Sequence, residues 1–160
     1  MAEVVSVSAR DGHGLGKTPS KSIALIKGEG VKGDAHRGVT VKHRSRVAKD
    51  PTQLNLRQVH LIHAELLDEV AAMGFAVVPG DLGENILTHG IDLLGLFAGT
   101  ILTFPSGAVI TITGLRNPCN QINGHTPGLM KALLEHTPDG SLIRKAGVMG
   151  NQWQPAHDAL

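Results

Sequence analysis

Cysteine and aromatic residues are scarce in this sequence, and their scarcity excludes several classes of protein. The 160 residues contain one cysteine, Cys119, so no intramolecular disulfide can form. Three Phe, one Trp and no Tyr leave few side chains on which nucleic-acid bases could stack. The thiol is therefore either a small packed hydrophobic group or a group kept reduced for chemistry.

A charge imbalance and long apolar runs are missing as well. Fifteen Lys and Arg face 14 Asp and Glu, a net charge of +1, which argues against a broad basic surface for nucleic acid. No apolar run approaches the roughly 20 residues that cross a bilayer, and the start MAEVVSVSARDGHG lacks the pattern of a signal peptide. We therefore expect a cytoplasmic protein, with residues 1–160 forming one domain that binds neither nucleic acid nor membrane.

Short apolar segments separated by turn residues fill much of the chain. The segment AVITIT, residues 108–113, alternates side chains as a strand does, and several other apolar runs of four to six residues lie between Gly, Pro, Asp and Asn. Twenty glycines and eight prolines indicate many turns. This rhythm favours a mainly β protein, a closed or partly closed β-barrel or a sandwich, with a few short helices.

Two helices are predicted within this background. RQVHLIH indicates a short strand, and the following AELLDEVAAMG has apolar residues at helical spacing and ends at Gly74. One continuous helix from Gln58 is the alternative. Thr126 and Pro127 form an N-cap and first-turn pair that predicts a second short helix through Leu134. His60 and His63 straddle the first boundary and are interpreted as ordinary surface or packed imidazoles.

The segment GDAHRG, residues 33–38, has a structural and a functional interpretation. As structure it is a turn in which Asp34 bonds its own backbone while His36 and Arg37 face water. As function, His36 and Arg37 join the basic stretch that ends at Arg57 to form a clamp for an anion, because Arg presents a fork of donors to phosphate oxygens. Seven of the 15 Lys and Arg lie between residues 32 and 57.

A second polar segment is GDLGEN, residues 80–85. It too reads as a turn, with Asp81 and Asn85 capping it and Glu84 solvated. The functional alternative is that Glu84 and Asn85 hydrogen-bond a polar heterocycle. The sequence holds no zinc signature and no glycine-rich phosphate loop of the nucleotide-binding type.

The third segment, GLRNPCNQ at residues 114–121, carries the thiol. Pro118 removes a backbone N–H, and Arg116 and Asn117 are polar groups that a closed apolar core would have to satisfy. We therefore expect Cys119 at a loop rim after the strand, where the Arg116 guanidinium would favour the nucleophilic thiolate. A buried, inert thiol is the alternative.

Together these motifs resemble one family. GDAHRG, RQVHLIHAELLDE, GDLGENILTHGIDLLGL and GLRNPC, in this order, are similar to the MOSC domain family, named for the C-terminal domain of molybdenum cofactor sulfurases and found also as small stand-alone bacterial proteins. The resemblance covers roughly residues 20–150. It implies a closed, strand-rich barrel that binds the molybdenum cofactor, molybdopterin, or carries sulfur for it.

The resemblance also implies roles for single residues. It makes Cys119 the persulfide carrier or molybdenum ligand, with Arg116 polarising it. The phosphate of the pterin would be held by the basic residues, and the other polar residues would complete the pterin site. The cofactor-binding residues expected on these grounds are His36, Arg37, Arg57, Asp34, Glu84, Asn85 and Asn117. Pyridoxal phosphate is linked to the family only through a separate desulfurase domain, and no lysine-centred site of that kind is visible in this sequence.

The implied function has three versions. The first is a cofactor-binding or sulfur-carrier domain that works with a cysteine desulfurase. The second is a molybdenum-dependent reductase component that acts on N-hydroxylated compounds and takes electrons from a separate reductase partner, since no iron–sulfur or flavin segment is attached. The third is a noncatalytic module that binds a small anion. After RKAGVMG the family pattern implies a further strand, and the different continuation NQWQPAHDAL predicts that the last barrel strand is missing or altered.

Overall fold

The computed structural model describes residues 2–10, 16–26, 30–34, 58–116 and 127–151. These residues form eleven strands, two α-helices and one 3₁₀ turn. The strands are β1 Glu3–Ala9, β2 Thr18–Ser20, β3 Leu25–Ile26, β4 Gly30–Val31, β5 Val59–His63, β6 Ile86–His89, β7 Ile101–Thr103, β8 Val109–Leu115, β9 Leu134–His136, β10 Leu142–Arg144 and β11 Val148–Asn151. Helix α1 spans Ala64–Ala72, helix α2 spans Leu129–Ala132, and the 3₁₀ turn spans Leu93–Gly95.

Seven of the strands form one mixed sheet in the order β2-β1-β6-β5-β11-β8-β7. Only β5 and β6 run parallel, and every other neighbouring pair is antiparallel. The pairs β3–β4 and β9–β10 form two small separate sheets. The mainly β prediction is thereby confirmed.

The described sheet is open, so the prediction of a closed barrel is wrong for this part of the chain. Its edges are β2 and β7, each three residues long, and they are not paired with each other. Pro19 in β2 has no N–H to offer a further strand, which suits an edge position. The sheet nevertheless curves, since residues of β1 and of the turn between β7 and β8 line the same cleft.

Alternation along the central strands builds a separate core on each face of the sheet. Ile62 of β5 and Leu87 of β6 pack with Leu66 and Val70 of α1 in the first core. Their neighbours on the same strands point the other way and join a second apolar core. That second core consists of Val31, Val59, Leu61, Ile86, Leu93, Ile110, Ile112 and Val148. This period of two is what a strand geometry dictates.

The predicted boundary between strand and helix after His63 is confirmed, and the alternative of one helix from Gln58 is wrong. Helix α1 begins after His63 and ends before Met73, and Gly74 follows with φ +94°. A residue without Cβ adopts this left-handed conformation easily, which makes glycine the common residue after a helix.

The predicted start of the second helix needs correction. Helix α2 begins at Leu129 after Gly128, not at Pro127, because Gly128 has φ +86° and so breaks the helical path; Thr126 lies outside the described residues. The strand that the resemblance implies after RKAGVMG, predicted to be missing or altered, lies beyond residue 151 and so outside the described residues. Residues 148–151 form β11, which lies in the middle of the sheet between β5 and β8. Within the described ranges, neither helix is long and apolar enough to cross a membrane.

Candidate functional site at the end of strand β8

Arg116 stands at the end of β8, directly before the segment that carries the thiol. Its backbone N–H donates to the Gly147 carbonyl at 2.9 Å, which ties it to the turn before β11. Its Nη1 donates to the Leu82 carbonyl at 2.6 Å, and the residue is only 8% exposed. An always-charged guanidinium is thus fixed inside the protein at the base of this segment.

His60 of β5 lies against this guanidinium. Its Nε2 is 2.8 Å from the Ala146 carbonyl and 3.4 Å from Arg116 Nη1. Because a carbonyl only accepts, Nε2 must carry the proton and donate it there, so it cannot also accept from Arg116. Burial, with the charge of Arg116 second, holds the pKa of His60 well below its usual value. His60 is therefore neutral at pH 7.

Glu84 brings a carboxylate to the same region. Its Oε2 accepts from the Gly80 N–H at 2.7 Å, whereas its buried Oε1 has no hydrogen-bond partner among the described residues. The residue is 2% exposed, so the prediction that Glu84 is solvated is wrong. Burial raises the pKa of Glu84, and the Gly80 N–H and the charge of Arg116 oppose that shift. Glu84 thus offers one unused acceptor oxygen inside the protein.

Asn85 joins β1 to β5 at the point where β6 begins. Its side-chain Oδ1 accepts from the backbone N–H of His60 at 3.0 Å, and its Nδ2 donates to the backbone carbonyl of Ser8 at 3.0 Å. Its backbone bonds the same two residues, with Ser8 N–H donating to Asn85 O and Asn85 N–H donating to His60 O, both at 2.8 Å. The amide of Asn85 therefore fixes the strands, a structural role that the capping interpretation did not foresee.

A buried ion pair completes the region. Lys17 Nζ lies 3.0 Å from Asp34 Oδ2, and the two side chains are 2% and 0% exposed. Asp34 Oδ1 also accepts from the backbone N–H of Arg10 at 3.1 Å. Burial lowers the pKa of Lys17; Asp34 opposes the shift, and the charges of Arg116 and Glu84 also act on it. The pair and the guanidinium thus belong to one electrostatic neighbourhood.

The backbone is tightly packed where Lys17 meets the GDLGEN segment. Lys17 N–H donates to the Gly80 carbonyl at 2.8 Å. Gly80 has φ +91°, and a Cβ there would overlap the Lys17 carbonyl oxygen. Only glycine combines this conformation with so close an approach. We call the six residues Lys17, Asp34, His60, Glu84, Asn85 and Arg116 the polar cluster.

The structure brings together four of the predicted site residues, Asp34, Glu84, Asn85 and Arg116. The other five, His36, Arg37, Arg57, Asn117 and Cys119, lie outside the described residues. Sequence reasoning missed Lys17 and His60 as members of the cluster. The glycine-rich GHGLGK around Lys17 was a signal for a close backbone approach, whereas nothing local distinguishes His60 from a packed histidine.

The described residues form no ready-made metal site. Among the described residues no group of three His, Cys, Asp or Glu side chains is placed to hold an ion. Glu84 Oε1, an acceptor without a partner in the described part of the chain, has the chemistry that the predicted contact to an N–H donor of a polar heterocycle requires. The cations Lys17 and Arg116 already bond within the protein.

Solved structures share this fold. The chain is similar to the crystal structure of YuaD from Bacillus subtilis, with a TM-score of 0.71 and 24% identity, covering 95% of this chain and 89% of that one. It is also similar to YiiM from Geobacillus stearothermophilus, with a TM-score of 0.59 and 15% identity over 100% of this chain and 79% of that one. YiiM from Escherichia coli gives 0.57 and 18% over 94% and 62%. At these identities the likeness concerns the fold alone.

Sequence comparisons identify the family. YuaD of Bacillus subtilis (strain 168), whose name provisionally links it to metal-sulfur cluster biosynthesis, is 35% identical over 98 residues. The match spans 58% of this chain and about half of that relative, 51%. The family model for the MOSC domain matches residues 39–150, which is more than half of the chain. The chain therefore belongs to the MOSC domain family.

Proposed function

We propose that the protein is a molybdenum-cofactor-binding or sulfur-carrier domain in which Cys119 holds the sulfur or ligates molybdenum. Membership of the MOSC family supports a role connected with molybdenum or sulfur. The name of YuaD, with its link to metal-sulfur clusters, points in the same direction. The sulfur atom of the only cysteine is the natural carrier, because a thiolate is both a nucleophile and a ligand for soft metals.

The single observation that carries the proposal is the fixed position of Arg116. Cys119 follows it by three residues, and three residues of extended chain span at most about 11 Å. This bounds the distance between the two Cα atoms, and we expect the guanidinium to supply a positive charge that favours the thiolate. The hydrogen bonds to Leu82 and Gly147 keep that charge in place.

In the carrier version, sulfur transfer is a simple exchange. The Cys119 thiolate attacks the outer sulfur of a persulfide on a cysteine desulfurase, the S–S bond of the donor breaks, and the donor cysteine leaves as a thiolate. Cys119 then carries the persulfide, and no external oxidant or reductant is needed. Arg116 stabilises the anionic sulfur before and after the transfer.

In the cofactor version, this chain's residues bind and orient a pterin. Glu84 Oε1 would accept from a pterin N–H, and Arg116 would face the sulfur-bearing end. His36, Arg37 and Arg57 would hold the phosphate, with Asp34, Asn85 and Asn117 shaping the site, as the sequence predicts. When bound, molybdenum supplies a redox centre that exchanges oxygen or sulfur atoms. A reductase activity on N-hydroxylated compounds would then also need a separate electron donor.

The proposal is tested by native mass spectrometry together with metal analysis of the wild type and Cys119→Ser. The wild type, purified fresh or incubated with a cysteine desulfurase and cysteine, is expected to gain the mass of one sulfur atom or of a pterin with molybdenum. Cys119→Ser is expected to lose the sulfur adduct, the metal or both. Lys131→Gln, on the exposed surface of α2, serves as the control that should load like the wild type.

The outcomes of this experiment distinguish the carrier, molybdenum-ligand and anion-binding versions of the proposed function. Loss of extra sulfur only assigns the carrier role, and loss of molybdenum assigns the ligand role. Equal loading of the wild type and Cys119→Ser, or no adduct in either, removes the cysteine from the function and leaves the noncatalytic anion-binding module.

A further inference from the structure

A cleft of about 630 Å³ opens on the sheet face opposite to α1. One wall is the segment 21–25, and the other is the turn from Phe104 to Ala108 between β7 and β8. Val7 of β1 and Ile86 of β6 lie between the walls and belong to the apolar side of their strands. The volume lies within the range of small-molecule sites, which are usually concave and mostly apolar.

Backbone hydrogen bonds hold both walls of the cleft. In the first wall the Ser22 carbonyl accepts from Ser20 Oγ at 2.8 Å, and the Ala24 carbonyl accepts from the Lys32 N–H at 2.8 Å. In the second wall Phe104 N–H donates to the Ala108 carbonyl at 2.9 Å, which closes the turn. The cleft is therefore formed before any ligand arrives, which reduces the entropy lost on binding.

Polar side chains are few among the described residues that line the cleft. Lys21 is the one ionisable side chain among them, and it makes no hydrogen bond or ion pair with the described part of the chain. Ser22 and Ser106 add hydroxyl groups to the lining. An apolar floor with one unpaired ammonium at its edge is complementary to a molecule with an apolar body and one anionic head.

We propose that this cleft binds a small amphiphilic carboxylate, with its hydrocarbon body between the two walls and its carboxylate at Lys21. The site lies on the face of the sheet opposite to the polar cluster. Ile86 belongs to the second apolar core and Val7 packs against it, whereas the neighbours Asn85 and Ser8, which are hydrogen-bonded to each other, lie on the side of the polar cluster. It is independent of the function proposed for Cys119.

Calorimetric titration at low salt with decanoate, decanol and decyltrimethylammonium tests the proposal, all below their micelle concentrations. These three ligands share one apolar body and differ in the charge of the head. Decanoate is expected to bind about threefold tighter than decanol, and the cation more weakly than decanol, as an exposed charge pair would give. Lys21→Gln should bring decanoate and decanol to equal affinity, whereas Lys131→Gln should leave the preference unchanged.

A second variant tests the location. Ser22→Phe places a ring at the wall from an exposed position, so the fold should be kept while all three ligands lose affinity. The proposal is overturned if decanoate does not bind, if decanoate and decanol bind equally to the wild type, or if Lys21→Gln keeps the preference. It is also overturned if decanoate binding requires Cys119, or if decanoate acts only by dissociating a dimer seen in size-exclusion chromatography. Loss of binding in Cys119→Ser would place the ligand in the sulfur site instead.

Discussion

Each face of the seven-stranded sheet buries an apolar core, and the face toward α1 also buries charged side chains. The face that packs against α1 ends in the polar cluster, with two cations and two carboxylates among its six residues. The fully buried residues described in the core on the other face are Val, Leu and Ile, and that core opens into the apolar cleft. The same strands serve both, since His60 and Leu61 are adjacent residues of β5. Alternation therefore lets one sheet hold a fixed electrostatic site and a plain core.

The charged and the apolar side chains differ in how strictly each depends on a particular partner. Buried charges are stable only with their partners, so each member of the polar cluster depends on another. Apolar side chains in a core need only a suitable volume and close packing.

Removing one partner of the buried ion pair should have the largest effect on stability. Asp34→Ala leaves Lys17 buried without its carboxylate and should lower the free energy of unfolding by about 3–5 kcal/mol. Urea denaturation at pH 7 measures this loss. Lys17→Met in the Asp34→Ala background should recover part of it, because the unpaired charge is gone.

The partly exposed ion pair of Lys145 and Glu135, 3.1 Å apart, provides the control. Glu135 is 54% exposed, so Glu135→Ala should cost less than about 1 kcal/mol. If Asp34→Ala costs as little as Glu135→Ala, the Lys17–Asp34 pair does not stabilise the fold and the contrast between the two faces fails.

The free energy of unfolding should decline at acid pH, and the slope of this acid limb should depend on His60. Burial keeps the pKa of His60 well below 6.5, so the unfolded chain binds a proton there that the folded chain does not. Stability is therefore level above pH 6.5 and falls as the pH drops below it, by up to about 1.4 kcal/mol per pH unit from this group. His63, whose pKa burial also lowers, adds to the slope.

The test is chemical denaturation between pH 5 and pH 7.5, in which His60→Gln should flatten this limb. Lys131→Gln, at an exposed position of α2, should leave it unchanged. An equally steep limb in His60→Gln would mean that this histidine is already protonated in the folded protein.

The smallest effect is expected at Thr88 of β6. Its buried Oγ1 has no hydrogen-bond partner within the described ranges, so we expect the hydroxyl to be desolvated without compensation. Thr88→Val keeps the shape of the side chain and should raise the free energy of unfolding by about 0.5–1 kcal/mol. Thermal unfolding of the two proteins in parallel is sufficient. A loss of stability would indicate that the hydroxyl makes a bond in solution.

Local patterns were enough to predict several elements and the family. The alternation over residues 108–113 lies within β8 apart from Ala108, and Gly74 ends the region of α1 because its left-handed backbone suits glycine. The order of four motifs led to the MOSC family, which the comparisons confirm. These features depend on neighbours in sequence, and periodicity and turn chemistry record such neighbours directly.

The polar cluster could be predicted only in part. Asp34, Glu84, Asn85 and Arg116 stand in motifs framed by glycine, which draws attention to them. Their partners Lys17 and His60 come from segments far away in the sequence, and their roles depend on burial, which local pattern does not reveal. The prediction of a closed barrel was wrong for a related reason. Whether the edge strands meet depends on the curvature of the whole sheet, and not on the pattern of any one strand.

The most direct test of the central claim is the pH dependence of Cys119 alkylation by iodoacetamide in the folded protein, followed by mass spectrometry. With Arg116 fixed close to the segment that carries it, the thiol should react readily, and the midpoint of its rate profile should lie below about 8.5, the value of a free thiol. A thiol that reacts only after unfolding, or that shows a midpoint at or above that value, would contradict the account.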